Sequence, residues 1–475
     1  MKICFLARPS YDVYSVNIIK NLQEKHDASI EACFVTSDKS ESEYILKNVE
    51  NAQIFETSSY LKRDWDKFTL EKLIEYEKKY DCAPIWKYIY TDRFLINRDY
   101  DYVVHITSGL FAFFEEIFSK GDVDFYYSET IATLQCYIAY LVGKKYNVKY
   151  ICQFCARGGL DSKYHYFIMD PFQHNIDMDW DYGKKEYSNE EKEVAELFLT
   201  EFENEGITPA YMNYVNKKPR FSWKFFIYPI LRCIKFFDYR LNNPYSYMYY
   251  QSYKNCTNPI KYYFNYNKSK KLYNDVDYSK KYVYFPLHYQ PEASTLVCAE
   301  KYEKQMFFID SWAKSLPADT VLYVKEHYAL LGNRNIQFYR ELKKYPNVVL
   351  IDPFVSSREL ILHSVAVTTL TGTAGLEAVF LRKPVFLGGN IDFEKAPGVI
   401  KIDDIFDNYL SNLNIWVQPS REEVIQYLCA CIKSYEKGNV LAQNHAELIP
   451  DNIDSICEAL YKKLLEIRED KHIEY

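Results

Sequence analysis

Long apolar runs, an excess of positive charge and paired cysteine motifs are what this 475-residue sequence lacks. No stretch of eighteen apolar residues occurs, which argues against a spanning helix. The opening Met1–Arg8 reaches a charge after only five apolar residues, so it reads as a first strand and not as a secretory leader. A net charge of -7 exerts no general pull on nucleic acid, and none is expected as a partner. The twelve cysteines are scattered, and Cys152-Gln-Phe-Cys155 has no second pair to complete a zinc site. Buried thiols in a reducing cytoplasm are therefore expected, with no metal. What remains is a globular composition, 48% hydrophobic and 26% charged with 47 tyrosines, in a chain too long for one ordinary core.

The first part of the chain alternates short apolar runs with helical patterns, the mark of a parallel α/β sheet. Lys2–Leu6, Glu31–Thr36, Tyr102–Ile106, Asp124–Tyr127 and Tyr150–Cys155 read as strands. Residues 41–99 read as charged, aromatic and helical. Ligands in open α/β sheets sit at the carboxyl ends of strands. Arg8, Ser10, His105, Ser108, Glu129 and Arg157 fall at such ends and are candidates to face one cleft.

Residues 187–206 read as an acidic helix. Residues 213–271 then carry twelve basic side chains against one acid, Asp238, with many aromatics. Such a segment suits the plane of an anionic membrane, or a helical connector with a solvated basic face. From Tyr282 the α/β rhythm returns, with strands at Tyr282–Leu287, Thr320–Lys325, Val348–Ile351, Val365–Leu370 and Pro384–Leu387. Helices are expected between them at Cys298–Lys314, Asn335–Lys344, Ser357–His363 and Ala374–Leu381. The expected organisation is a Rossmann-like domain at 1–170, a helical connector at 171–280, a second Rossmann-like domain at 281–420, and tail helices at 421–475 that pack back on the first domain.

Two stretches of the second domain carry the chemistry. One is the loop after the strand at Tyr282, holding His288, Gln290, Glu292, Ser294 and Thr295. The other is Thr371-Gly-Thr-Ala-Gly-Leu-Glu-Ala378, a small-residue turn that opens a helix and aims free N–H groups and the positive helix end at one spot, which suits a phosphate. Gly372 and Gly375 permit close backbone approach. Glu377, one turn in, stays near that loop and can take the two hydroxyls of a ribose, or serve only as a dipole partner. Between these stretches, Lys325-Glu326-His327 ends a strand. Lys325 and His327 can neutralise phosphate, and Glu326 can hold a ribose hydroxyl or orient the histidine. A solvated strand end is the other reading of this triplet.

Tyr284-Phe-Pro-Leu-His-Tyr-Gln-Pro-Glu-Ala-Ser-Thr295, Val324–His327, Ser356-Ser357, Thr371–Ala378 and Lys383-Pro-Val-Phe386 together resemble bacterial capsule and surface polysaccharide biosynthesis proteins. These are similar to the capsular Kdo transferases, GT-B glycosyltransferases that use CMP-activated sugars. Tyr328 stands where that family usually has proline. The resemblance implies a GT-B-like α/β architecture of two Rossmann-like, doubly wound domains facing a cleft, with the helical aromatic and basic insertion between them. It implies a nucleotide-sugar donor in the second domain, CMP-sugar favoured, with Thr373 in the phosphate turn. A polysaccharide or lipid-linked glycan acceptor would lie in the first. It also implies metal-independent chemistry, in keeping with the placement of Asp177-Met-Asp179 and Asp179-Trp-Asp181 in an acidic loop. The protein would work in the cytoplasm, at the inner face of the membrane.

For the acceptor chemistry Glu129 is the first candidate carboxylate and Asp161 the second. Either can instead be a helix N-terminal carboxylate. Arg157 and Arg8 can bind the carboxylate of an acidic sugar or serve as structural ion-pair partners. Two other enzyme readings share this layout, a nucleotide-sugar epimerase and a CDP-alditol phosphotransferase. A non-catalytic member binding nucleotide-sugar or polysaccharide in an assembly complex is the third alternative.

Overall fold

The computed structural model describes residues 1–8, 11–161, 163–205, 227, 239–251, 259–402, 416–440 and 450–469. The chain forms two compact units. The first comprises Met1–Asp177, Phe237–Lys254 and Ser434–Tyr475, and the second Met178–Phe236 and Asn255–Lys433.

The first unit is built on strands β1 (Lys2–Ala7), β2 (Glu31–Thr36), β3 (Gln53–Glu56), β4 (Phe125–Tyr127), β5 (Lys149–Cys155) and β6 (His165–Met169). Their order in the sheet is β6-β5-β4-β1-β2-β3, with the two-residue strand Glu436–Lys437 added beside β6. β3, β2, β1, β4 and β5 run parallel, with Lys2 opposite Glu31 and Ile3 opposite Phe125. β6 turns back antiparallel, setting Cys152 opposite Met169. β1 is apolar along nearly its whole length because both faces are covered, as parallel sheets require. One face is covered by helix Tyr11–Asn21 together with helix Pro450–Glu469, whose Ile453, Ile456, Leu460, Leu464 and Ile467 enter the same core as Phe5, Phe34 and Tyr166.

The second unit holds β7 (Lys281–Pro286), β8 (Thr320–Lys325), β9 (Val348–Ile351), β10 (Ala366–Thr369), β11 (Val385–Leu387) and β12 (Val399–Lys401). All are parallel, in the order β12-β11-β10-β7-β8-β9. Trp312, Phe308, Phe285 and Phe386 fill the core on one side. The chain is thus α/β with two Rossmann-like parallel sheets. The tail divides, helix Arg421–Lys433 belonging to the second unit and Pro450–Glu469 to the first.

Several elements differ from the sequence reading. Tyr102–Ile106 is no strand but part of the helix Tyr100–Phe118, twelve of whose residues are buried. Its β-branched Val103-Val104 and Ile106 look like strand residues, yet most of the helix surface is buried, with Asp101 and Glu116 exposed, so the apolar stripe is too broad to stand out. His105 and Ser108 therefore lie within a helix and not at a strand end. The His105 ring stacks on Trp65 and bonds the Asp101 carbonyl. β3, β6 and β12 were not anticipated, and the helix expected from Cys298 begins at Gln305, after a short turn of helix at Ala293–Leu296.

Most of the basic stretch 213–271, with Lys217, Lys218, Arg220, Lys224, Arg232, Lys235, Asp238 and Lys254, lies outside the described residues, as does Ser10. Arg240 pairs with Glu41 and covers the Tyr249 ring. No helix among the described residues is long and apolar enough to cross a membrane.

Candidate functional site

The carboxyl ends of β7, β8 and β10 are neighbours in the second sheet, and this adjacency joins the two stretches singled out in the sequence. His288 follows β7. Its backbone is held by the Gln305 side-chain amide, which accepts from the His288 N–H at 2.8 Å and donates to its carbonyl at 3.1 Å. The Arg334 guanidinium donates to the same carbonyl at 3.1 Å. The buried ring of His288 reaches under the turn after β10, where the Thr371 N–H donates to Nε2 at 3.2 Å and Thr369 Oγ1 lies 3.0 Å away. A backbone amide only donates, so Nε2 carries the lone pair and Nδ1 the hydrogen. Burial first, then the nearby His327 and Arg334, lower its pKa to about 3. His288 is therefore a neutral strut beneath the turn at working pH.

The turn itself is tied down by its own side chains. Gly372 donates its N–H to Thr369 Oγ1 at 2.9 Å, and Thr371 Oγ1 donates to the Ser294 carbonyl at 2.8 Å. A Cβ on Gly372 would stand 2.9 Å from Thr369 Oγ1 and 3.1 Å from His288 Nε2, and one on Gly375 2.8 Å from Thr369 Cγ2. Glycine is needed here for contact, since φ at Gly372 is an ordinary -75°. Helix Thr373–Phe380 starts at this point, and the N–H groups of Thr373 and Ala374 meet no acceptor among the described residues. One turn in, the half-buried Glu377 carboxylate accepts no hydrogen bond among the described residues. Burial raises its pKa to about 7 against the opposing pull of Lys325 and Arg358.

The Lys325–His327 triplet is held from within the chain. Lys325 Nζ donates to Ser357 Oγ at 2.6 Å and to the Val355 carbonyl at 2.7 Å, with the Tyr328 hydroxyl at 3.5 Å. Its hydrogens are spent inside the chain, so it offers a field and not a direct contact. Burial lowers its pKa to about 8, with Glu377 and Asp352 acting the other way. Glu326 is held by three donors. It accepts from Arg334 Nε at 2.7 Å, the Tyr339 hydroxyl at 2.6 Å and the His327 N–H at 2.7 Å, a fully partnered buried carboxylate that positions the backbone of His327. His327 accepts the Ala329 N–H on Nδ1 at 3.2 Å, leaving Nε2–H on a half-buried ring. Burial is the main influence lowering its pKa.

Of the loop after β7, Gln290 donates to the Glu303 carbonyl. The Glu292 carboxylate accepts from Ser294 Oγ at 2.9 Å, while Thr295 Oγ1 donates to the Glu292 carbonyl at 3.0 Å. These side chains shape the loop. Sequence reasoning missed Arg334, Gln305 and Thr369, which hold His288 and Glu326 in place. Each is an ordinary residue of a helix, turn or strand with no motif around it, and no local signal marks it.

The other candidates belong to the first unit. Glu129 follows β4 and forms an ion pair with Arg8, which also covers the Tyr11 ring at 4.5 Å. Arg157 donates to Gln173 Oε1 at 3.1 Å and lies over the Phe154 ring. Asp161 is exposed, its carboxylate accepting the Lys163 N–H at 2.8 Å in the turn between β5 and β6. Asp177 pairs with Lys463, Asp179 with Lys185 and Asp181 with Lys184. Among the described residues no group of three or more His, Cys, Asp or Glu is placed to hold a metal ion. Cys152 and Cys155 are buried thiols.

Residues 226–399, which include the whole of the tied loop pair, match the sequence family of capsule polysaccharide biosynthesis proteins. The chain resembles a capsule polysaccharide biosynthesis protein. Among solved structures it is similar to the β-Kdo 2,7 transferase of Thermosulfurimonas dismutans KpsC, at 13% identity over 75% of this chain and 90% of that one, with a TM-score of 0.33. It is also similar to the β-Kdo 2,4 transferase of the same KpsC, at 13% identity over 67% and 86%, with a TM-score of 0.35. A third similar structure is the UDP-GlcNAc 2-epimerase of Methanocaldococcus jannaschii, at 10% identity over 97% and 100%, with a TM-score of 0.30. Comparison with curated proteins found no match.

Proposed function

We propose that the chain is a glycosyltransferase of capsule or surface polysaccharide synthesis, taking a nucleotide-sugar at the carboxyl edge of β7, β8 and β10. The observation that carries this reading is the unpaired Glu377 carboxylate one turn inside a helix whose first N–H groups are open. A nucleoside phosphate fits that pairing, with phosphate on the N–H groups of Thr373 and Ala374 and on His327 Nε2, and the ribose hydroxyls on Glu377. The family match over 226–399 supports the same reading. A CMP-activated acidic sugar is the donor we favour, and a polysaccharide or lipid-linked glycan the acceptor.

In the reaction the bond from the anomeric carbon to the phosphate oxygen breaks, its electron pair leaving with the phosphate. The acceptor hydroxyl oxygen forms the new bond to that carbon and its proton passes to a carboxylate base. Charge growing on the leaving phosphate is met by the helix end and by the field of Lys325.

Calorimetric titration with CMP-, UDP-, GDP- and CDP-linked sugars tests the site. The CMP donor should bind tightest, and Glu377→Gln should weaken it about tenfold through loss of a charge-assisted hydrogen bond. Unchanged affinity in that variant would displace the ribose from Glu377, and the absence of binding by every donor would end the transferase reading. Release of a free epimer without acceptor would point to the epimerase instead.

A further inference from the structure

The first unit contains a pocket of its own, about 170 Å³, at the carboxyl ends of β4 and β5, with Tyr11, Tyr14, Tyr127, Ser128, Glu129 and Gln153 among its walls. That is room for several waters or one small ring.

Its hydrogen bonding is incomplete in a particular way. Tyr14 and Tyr127 both donate to Gln153 Oε1, at 2.9 and 2.5 Å, which uses both acceptor positions of that oxygen. Gln153 Nε2 is then buried with no partner, and two N–H hydrogens are left over. Turning the amide over makes Oε1 the atom without a partner and, with the Tyr127 hydroxyl 3.4 Å from that of Tyr14, leaves one phenolic O–H hydrogen over, so the cluster is incomplete in either orientation. A buried donor without an acceptor is unfavourable, and a ligand oxygen relieves that cost. Acceptors are present as well. Glu129 accepts from Arg8 and, at 3.5 Å, from the Tyr11 hydroxyl on Oε2, which leaves Oε1 without a partner among the described residues.

Charge narrows the class of ligand. Arg8 is already paired with Glu129, so a ligand carboxylate would meet an anion whose counter-charge is taken. Tyrosine faces beside mixed donors and acceptors suit a ring that has a C–H face and a rim of hydroxyls. We infer that this pocket binds a single uncharged pyranose residue, with Gln153 and the Tyr14–Tyr127 pair hydrogen-bonding its hydroxyls and Glu129 accepting from one of them. As the acceptor sugar this ring rests on the glycosyltransferase reading; as a bound sugar it does not.

The test uses the full chain and two ligand sets. Methyl glycosides of neutral hexoses and methyl glucuronide are compared by saturation-transfer NMR and calorimetry, and each protein sample is also titrated with the CMP-linked donor. At least one neutral glycoside should bind, the glucuronide at least about tenfold more weakly, and Gln153→Leu should lose about tenfold in glycoside affinity with donor affinity unchanged. Tyr127→Phe is the second variant and should weaken binding in the same direction. If neither variant folds, the neutral-against-charged comparison on the unaltered protein decides. Failure of every neutral glycoside to bind, tighter binding of the glucuronide, or full affinity in folded Gln153→Leu would overturn the inference. Donor binding without glycoside binding removes this pocket's role alone, whereas glycoside binding with none of the CMP-, UDP-, GDP- and CDP-linked donors bound removes the transferase reading and leaves the sugar site standing.

Discussion

Glu377 and Lys325 titrate toward each other, and the sign of each shift sets a pH window. Burial raises Glu377 to about 7, so below that pH it is protonated and ceases to be an anionic acceptor for ribose hydroxyls. Burial lowers Lys325 to about 8, so above that pH its positive field at the phosphate is lost. Nucleotide affinity should therefore be greatest between about pH 7 and about pH 8 and fall by up to about tenfold per unit outside it. Calorimetry from about pH 6 to about pH 9 measures this, and a flat profile would show that neither group faces the nucleotide. His288 adds nothing to that profile, because at a pKa of about 3 it stays neutral throughout. The identity of these residues was legible in the sequence, since a strand end and a helix N-terminus are local features. Their division of labour was not. Lys325, read as a phosphate ligand, spends its hydrogens on Ser357 and Val355, some thirty residues on, and Glu326 turns to Arg334 and Tyr339.

Among the elements, the strands of the second unit were legible almost to the residue: Thr320–Lys325 and Val348–Ile351 lie where their β-branched runs put them. Those that escaped are short or atypical. β12 has three half-buried residues, and β6 follows β5 as the return arm of a hairpin where a parallel crossover is the rule. Connections between elements rest on glycines, and one gives a sharp prediction. Gly332 has φ +77°, and a Cβ there would come 1.9 Å from the carbonyl oxygen of Tyr262 in helix Pro259–Ser269. Gly121 has a similar φ of +71° but open space around it. Gly121→Ala should cost about 1 kcal/mol from backbone strain alone, and Gly332→Ala about 2 kcal/mol more because backbone must move. Urea unfolding of the two variants compares them. Equal losses would mean that helix Pro259–Ser269 yields without penalty.

Over the whole molecule the chain leaves its first unit and returns to it twice, through Phe237–Lys254 and Ser434–Tyr475. The second return supplies the helix Pro450–Glu469, whose Leu460 is fully buried beside Ile456 and Leu464 in the core under β1. Leu460→Ala should destabilise the first unit by about 2–5 kcal/mol. A ligand of the second unit stabilises that unit by mass action. In differential scanning calorimetry the CMP-linked donor should accordingly raise the transition of the second unit, while Leu460→Ala lowers that of the first. A donor that raises only the transition lowered by Leu460→Ala would place the nucleotide in the wrong unit.

By itself the sequence determined the alternation of strand and helix, the small-residue turn at Thr371–Gly375 with a carboxylate one turn beyond it, and the likeness to capsule synthesis proteins. All of these are written in short spacings, because burial alternates with the local period of a strand or helix. Only the tertiary structure decided that His288 is a neutral strut beneath that turn, that Arg334 and Tyr339 occupy Glu326, and that Tyr14, Tyr127 and Gln153 share one pocket wall. Those pairings follow from strand order, which sets β10 beside β7 and β4 between β1 and β5. Strand order is settled by how whole faces pack, and no local spacing along the chain encodes it.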